Sequence, residues 1–313
     1  MVKTLISILN WNNAESTIQC VQSLHSLQNV NYSIVVIDNG SEDNSVNELR
    51  KIFPDLLIHL AGENLGFAAG HELAIRHLKE DDYHYLWIIN NDTIVEPNSL
   101  INLLKAVDEL GDNALYSSIP FRQRDDDTIA FYSKYLLTPT YPKNTLHDYL
   151  PITMTELFGY EKSPKEVSAL PGSCLLIPRA VIESYGFMSH DYFLYGEEID
   201  YCFRLKGLDI PSYLVPTSYI YHEGEGSTKA SSRLGDVVRY YRTRNVILKN
   251  MRFDTWFITL MSIFFNTRLA IFTILMSIFS RNKDIATGIM IFRGVLDAIV
   301  GNLGKTIPPE DYI

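Results

Sequence analysis

LWIINNDTIVEP, residues 86–97, begins as an unbroken apolar run, breaks into two amides and a carboxylate, and then turns apolar again. A short continuous apolar run suits a strand buried on both faces. Its interruption by Asn90, Asn91 and Asp92 places polar chemistry where that strand ends. Upstream, TLISIL (4–9) and SIVVI (33–37) are β-branched runs, and between them Ile18, Val21, Leu24 and Leu27 recur at helical spacing. The β-α-β pattern repeats through LLIHL (56–60), a helical GHELAIRHLKE (70–80) and the strand YLWII (85–89). A helix then starts near Asn98, with Leu100, Leu103, Leu104, Val107 and Leu110 on one side. This alternation predicts an α/β fold: a Rossmann-like, mostly parallel sheet with helices on both faces.

Ligands of such sheets sit at the carboxyl ends of the strands. Polar residues stand at all four: Asn10 and Asn12, then residues 38–41, then 63–66 including Asn64 and Gly66, then Asn90 to Asp92. One such cluster is ordinary turn chemistry. Four in succession mark a binding crevice.

Composition narrows the classes. The chain has 313 residues, 46% hydrophobic and 20% charged, which supports a sizeable core. A net charge of −10 excludes a general nucleic-acid binder, which needs clustered Lys and Arg. Cys20, Cys174 and Cys202 contain no C-x-x-C pair, so three reduced core thiols are expected, with neither a disulfide framework nor a structural zinc site. MVKTLISILNWNN becomes polar too soon for a signal peptide and reads as a first strand. The N-x-S/T triplets at Asn31, Asn39 and Asn91 are then chance matches.

Residues 111–170 read as loops and short elements, including the charged run RQRDDD (122–127). Regular signals return in SCLLIPRAVIESYG (173–186), a strand feeding a short helix, and continue through residues 192–210. Past Asp254 the chain becomes strongly apolar: TWFITLMSIFFNTRLAIFTILMSIFSRNKD, residues 255–284. Asn266 and Arg268 divide it into two stretches, each too short to span a bilayer as a helix of ~20 residues. The expectation is a pair of helices lying on a membrane surface, with a core or dimer-forming hairpin, or a true membrane span, as the alternatives.

The motifs ILNWNN, VVIDNGSEDNS, ENLGFAAG, INNDT, PGSCLLIPR, YFLYGEEIDYCFRL, YHEGEGS and YYRTRN together resemble glycosyltransferase family 2, in particular its rhamnosyltransferase-like branch. The resemblance covers roughly residues 4–250. It implies a GT-A fold over 1–250, with a nucleotide-sugar half at about 1–110 and an acceptor half at about 165–250, followed by apolar C-terminal helices over 251–313. It further implies an inverting transfer from a nucleotide-diphosphate sugar, dTDP-rhamnose or a UDP-sugar, assisted by Mn2+ or Mg2+. The acceptor would be lipid-linked or a polysaccharide, and the protein would sit peripherally on the cytoplasmic face of the inner membrane. A homo-oligomer through the C-terminal helices is the alternative use of that segment, and a catalytically silent nucleotide-sugar-binding protein is the alternative function.

Residue by residue, Asp38 can accept the imide N–H of a uracil or thymine ring, or merely close an Asx-turn. Asn10 and Asn12 can serve the base or ribose, with Asn64 nearby, and Gly66 and Gly70 can let backbone approach the nucleotide. In INNDT, Asp92 is the expected metal ligand, because a hard cation held by oxygen neutralises diphosphate charge. Asn90 and Asn91 are neutral and fit ribose or a metal-bound water. His222 in YHEGEGS, with its flanking glycines and Ser227, is a second metal ligand or a phosphate donor. GEEID supplies Glu197, Glu198 and Asp200; the family's base falls on Glu198, where an Asp is usual. An acidic helix N-terminus is the structural reading of the same run. Arg244 and Asn245 are expected to order a lid over the diphosphate or to meet a phosphorylated acceptor. The nucleotidyltransferase and dinucleotide-oxidoreductase classes are disfavoured, since LNWNNAEST carries neither of their Gly-rich loops.

Overall fold

The computed structural model describes residues 2–80, 82–121, 128–129, 152–153, 159, 161–222, 232–280 and 285–312. The run 122–127 and the glycines and Ser227 after His222 lie outside the described residues.

Strands β1 (Lys3–Asn10), β2 (Asn31–Asp38), β3 (Leu57–Leu60) and β4 (Tyr85–Asn90) form parallel neighbours in the order β3-β2-β1-β4. Helices α1 (Ala14–Leu24), α2 (Ser45–Ile52) and α3 (Gly66–Glu80) make the crossovers, and α4 (Ser99–Leu110) follows the short β5 (Thr93–Val95). Side chains alternate between two cores, as the two-residue period of a strand requires. Leu5, Val35, Leu86 and Ile88 face α3 residues Ala74 and Leu78. Ile6, Ile8, Val36 and Trp87 face Val21 and Leu24 of α1 and Leu103 of α4. Both faces are therefore covered, as the sequence predicts.

The sheet continues beyond β4 through β10 (Cys174–Pro178), β6 (Leu115–Phe121), β11 (Ser212–His222) and β5. β10 runs antiparallel to both β4 and β6, while β6 and β11 are parallel. β9 (Lys165–Val167) borders β11, and β7 (Thr128–Ile129) and β8 (Ile152–Thr153) extend from β6. This corrects the reading of 111–170 as irregular, since β6 is buried at every position. Short helices α5 (Arg179–Tyr185) and α6 (Glu197–Lys206) pack on the α3 side through Val181, Tyr201 and Leu205. All three cysteines are buried and unbonded.

The C-terminal part is three long helices: α7 (Ser232–Phe253), α8 (Trp256–Ser280) and α9 (Ile285–Val300). Asn266 and Arg268 do not divide α8. The Asn266 amide donates to Ser262 O at 2.8 Å, so its polarity is absorbed by the helix itself. The helical partner of α8 is α9 rather than a second half of the same stretch. The packing is inside out. Ser262, Ala270 and Ser277 of α8 and Gly288, Gly294 and Ala298 of α9 are buried, whereas Phe257, Phe264, Phe272, Leu275 and Ile289 are exposed. A Cβ on Gly288 would meet Ile274 at 2.5 Å, so close helix approach demands the glycine.

Candidate active site

In a sheet ordered β3-β2-β1-β4, the chain reverses direction of travel at β1, and the crevice opens between β1 and β4. Register brings the predicted residues level there: Asn10 pairs with Asp38, and Leu9 with Asn90.

The floor of the crevice is a hydrogen-bonded network. Asn10 is fully buried and its amide donates to Asp38 Oδ1 at 2.9 Å and Ser41 Oγ at 3.0 Å, while its oxygen accepts from Thr17 Oγ1 at 2.7 Å. With both amide hydrogens committed, Asn10 orients Asp38. Asp38 Oδ2 accepts from Ser41 N at 3.1 Å, so the Asx-turn is present, and it leaves each carboxylate oxygen with a further lone pair. Asn12 has φ +50°, which an Asn tolerates, and its oxygen accepts from Glu42 N at 2.8 Å, tying the β1 loop to the β2 loop. Asn39 spans to the next loop, donating to Asn64 Oδ1 and Gly66 O and accepting from Leu65 N. Asn91 donates to Thr17 Oγ1 at 3.1 Å. Thr17 and Asn39 were not singled out in the sequence, because a helical Thr and a turn Asn carry no local mark of a shared network.

The two glycines serve close approach within the chain. Gly66 has φ +80°, and a Cβ there would lie 2.3 Å from Phe193 O. At Gly70 a Cβ would lie 2.8 Å from the Leu9 side chain.

Asp92 and His222 are 130 residues apart in sequence and meet in space. β5 pairs antiparallel with the end of β11, setting Thr93 opposite His222, and His222 Nε2 lies 2.9 Å from Asp92 Oδ1. The Asn90 amide is 3.3 Å from the same nitrogen. Both ring and carboxylate are largely buried. The carboxylate oxygen suits Mn2+ or Mg2+, while the imidazole nitrogen is tolerated by Mn2+ and can otherwise donate to phosphate. Among the described residues no group of three His, Cys, Asp or Glu converges.

The carboxylate run forms the first turn of α6, so the structural reading also holds. Its three members diverge. Asp200 is bound by Arg252 Nη1 at 2.7 Å, and Arg252 also reaches Asp191, so Asp200 is neutralised rather than available as a base. Glu198 is half-buried, accepts from Gly196 N at 3.1 Å, and packs against the Gly172 position, where a Cβ would sit 3.4 Å from Glu198 Cβ. The neighbouring Ser173 O accepts from Asn90 N at 3.1 Å, so the loop against which Glu198 packs is tied to the end of β4. Glu197 is buried with Oε2 unbonded. Its carboxyl is held well above the usual range, first by desolvation and then by the Glu198 charge, and burial raises Glu198 as well.

Arg244 departs from expectation. It is 0% exposed, and all five of its N–H donors are consumed: Nε by Asn245 Oδ1, Nη1 by Gly304 O and Thr306 Oγ1, Nη2 by Asp191 O and Tyr192 O. No donor remains for a nucleotide, and the lid reading is replaced by one in which the arginine grips the chain's own backbone. Tyr240 and Tyr241 are likewise buried. Arg244 and Asn245 hold residues 191–196, where Phe193 and Tyr195 have φ of +62° and +67°. Such a conformation costs an L-residue ~1–2 kcal/mol and persists only where its surroundings enforce it.

The family model of Glycosyl transferase family 2 matches residues 6–186. A low-salt glycan biosynthesis hexosyltransferase, Agl10 of Haloferax volcanii, is 28% identical over 204 residues, covering 64% of this chain and 61% of that one. An N-acetylglucosaminyl-diphospho-decaprenol L-rhamnosyltransferase of Mycobacterium tuberculosis is 27% identical over 220 residues, covering 63% of this chain and 68% of the relative. The crystal structure of GalNAc-T7 with UDP, GalNAc and Mn2+ superposes with a TM-score of 0.60 at 14% identity, covering 86% of this chain and 51% of that one. The mannosyltransferase PcManGT of Pyrobaculum calidifontis, in complex with GDP-Man and Mn2+, gives 0.55 at 12% identity, covering 95% and 86%. At these identities the structural likeness is one of fold, and the fold is GT-A. With its model matching more than half of the residues, the chain belongs to glycosyltransferase family 2.

Proposed function

We propose that this chain is an inverting, divalent-metal-dependent glycosyltransferase that moves a sugar from a nucleotide-diphosphate sugar, dTDP-rhamnose or a UDP-sugar, to a lipid-linked or polysaccharide acceptor. The observation that carries this reading is the meeting of Asp92 and His222 at 2.9 Å beside the end of β4, to which the loop packed against Glu198 is hydrogen-bonded. Asp38, steadied by Asn10 and Ser41, is the acceptor for the base. Asn12, Asn64, Asn90 and Asn91 line the donor half, residues 1–110, and α6 belongs to the acceptor half, residues 165–250.

A bound Mn2+ or Mg2+ supplies charge neutralisation to the diphosphate leaving group. Asp92 and His222 hold that cation. Glu198 takes the proton of the acceptor hydroxyl as the hydroxyl attacks the anomeric carbon from the face opposite the leaving group. Burial raises its proton affinity, in the direction a general base needs. Glu197 lies desolvated beside it, and burial followed by the Glu198 charge raises its carboxyl above the usual range.

The names of the relatives favour a rhamnosyl donor and a lipid-linked acceptor, since the mycobacterial protein is named for a diphospho-decaprenol substrate. A lipid acceptor accords with the outward apolar faces of α8 and α9, which we assign to the cytoplasmic membrane surface. By length and composition, Trp256–Ile278 of α8 is long and apolar enough to cross a membrane. The exposed Arg268 at its middle, costing at least ~2.5 kcal/mol at the bilayer centre, favours lying in the interface.

Thermal shift with UDP-, dTDP- and GDP-sugars, with and without Mn2+, tests the reading. One donor at 100 times its Kd should stabilise the protein by about 2.7 kcal/mol, only with the cation. Asp92→Ala and His222→Ala should lose that response. Glu198→Gln should keep it while sugar transfer falls by ~10²- to 10⁴-fold. If no donor stabilises the wild-type chain with Mn2+ present, the reading fails.

A further inference from the structure

The segment DYFLYG, residues 191–196, leads directly into the carboxylate turn of α6, and its backbone is left-handed at Phe193, Tyr195 and Gly196. Two of these three are bulky aromatic residues, which on their own favour other conformations. The conformation is imposed from outside, chiefly by consecutive residues of α7. Asn245 Nδ2 lies 3.0, 2.7 and 2.8 Å from the carbonyl oxygens of Tyr192, Leu194 and Tyr195, and shares its two hydrogens among them. Arg244 Nη2 donates to Asp191 O and Tyr192 O at 2.9 and 2.7 Å. Arg242 stacks over the Tyr195 ring at 4.5 Å, and Arg252 joins Asp191 to Asp200 across the segment.

The same segment also touches the donor half. Phe193 O accepts from Phe67 N at 2.9 Å at the start of α3, the position where Gly66 admits no Cβ. Residues 191–196 thus bridge the first turn of α3, beside the nucleotide network, to the first turn of α6, which carries Glu198. Their curvature sets how the two turns face each other. The grip extends to the chain's last segment, since Arg244 Nη1 donates to Gly304 O at 2.7 Å and Gly304 N donates to Asp191 O at 2.8 Å. α9 enters the same arrangement, because a Cβ on Gly294 would lie 2.8 Å from Tyr240 O and 3.2 Å from Arg244 N.

We infer that Arg244 and Asn245 are positioning residues: they enforce the left-handed course of residues 191–196, and through it hold Glu198 toward the donor half. The inference rests on the glycosyl-transfer reading above. It gives an arginine that contacts no ligand a direct effect on turnover. It also makes the outer, apolar helices part of the frame on which the base is mounted.

Asn245→Ala in the full chain is the test, read in three ways. Donor affinity, measured by titrating the nucleotide sugar with Mn2+, should stay within threefold of wild type, because the donor network does not include Asn245. Turnover should fall by at least 30-fold. Amide hydrogen exchange should speed up across residues 191–200 and stay unchanged in β1, β2 and β4. Arg244→Lys should be similarly impaired, since a lysine cannot span the same carbonyls. Replacing Tyr195 with Gly in the Asn245→Ala background should recover part of the lost turnover, because glycine adopts the left-handed conformation unaided. Wild-type turnover in Asn245→Ala overturns the inference. So does a parallel loss of donor affinity, or a second-site glycine without effect. A wild-type chain that binds no donor and transfers no sugar overturns instead the functional reading beneath it.

Discussion

Gly66→Ala isolates the close approach that joins the two halves of the site. Gly66 has φ +80°, and its added Cβ would stand 2.3 Å from Phe193 O and 2.6 Å from the Phe193 ring. Gly62 is the natural control, because its φ is +84° and a Cβ there meets nothing within 4 Å. Both substitutions carry the left-handed cost of ~1–2 kcal/mol. Only Gly66→Ala must also move the Phe193 carbonyl by about 1 Å, which breaks the Phe67 N to Phe193 O hydrogen bond, worth ~1 kcal/mol, and disturbs close packing at ~1–3 kcal/mol.

Gly66→Ala should therefore destabilise by ~3–6 kcal/mol and Gly62→Ala by ~1–2 kcal/mol. For a chain of this length the unfolding entropy is ~0.7 kcal/mol/K, so the melting temperatures should fall by about 4–9 °C and about 1–3 °C. Differential scanning calorimetry of both variants beside wild type measures the contrast. Equal shifts would refute the argument, since they would mean that the carbonyl of Phe193 does not in fact crowd the glycine.

Glu197→Gln should change the pH dependence of stability. A carboxyl whose folded pKa lies above its unfolded value binds more protons when folded, so its stabilising contribution is complete below ~4.3 and is lost as pH rises through the folded value. Denaturation midpoints of the variant should thus gain on wild type from pH 5 to pH 8; a constant difference across that range would show that Glu197 is not the desolvated group. Phe264→Asp combined with Phe272→Asp should abolish sedimentation with phospholipid vesicles, lowering partitioning by at least about 50-fold from a burial cost near 2.5 kcal/mol per charge. These residues are used rather than a truncation after Asp254, which would also remove Gly304 and Thr306 from Arg244. Retained vesicle binding, or a dimer that the double variant converts to monomer without lipid, would overturn the membrane assignment.

The parallel part of the sheet is legible because each of its elements announces itself locally. The periodicity of β1, β2 and β4 and the polar residues closing each strand suffice to place Asn10, Asp38 and Asn90 side by side. Helix α2 gave a weaker signal, with only Ser45 and Leu49 buried in eight residues. β6 and β11 hide for another reason. Ser117, Ser118 and Pro120 interrupt one apolar run, and Thr217 and Ser218 the other. Those hydroxyls are answered across the sheet, Ser118 Oγ by Ser218 Oγ at 2.7 Å and Ser117 Oγ by Cys174 O at 3.1 Å. A buried serine whose partner lies a hundred residues away looks, in any local window, like a loop. Arg244 fails the same way: an arginine beside tyrosines and an asparagine reads as a phosphate binder until its acceptors are found to be backbone carbonyls.

The C-terminal helices show where composition and placement part company. Apolar content alone left residues 255–280 open between a core hairpin, a dimer seam and a membrane surface. Burial decides against the first, since a core hairpin would turn its phenylalanines inward, whereas Trp256 is 74% exposed and the residues that α8 buries are Ser262, Ala270 and Ser277. Small residues at the seam allow backbones to approach closely, and they are the packing solution when the outer surface is already in an apolar medium. In water the same arrangement would leave a continuous apolar face unpaid by any burial. On the membrane assignment proposed above, the hairpin faces lipid on one side and α7 on the other, and α7 is the helix that carries Arg244, Asn245 and Arg252 to the edge of the carboxylate turn of α6.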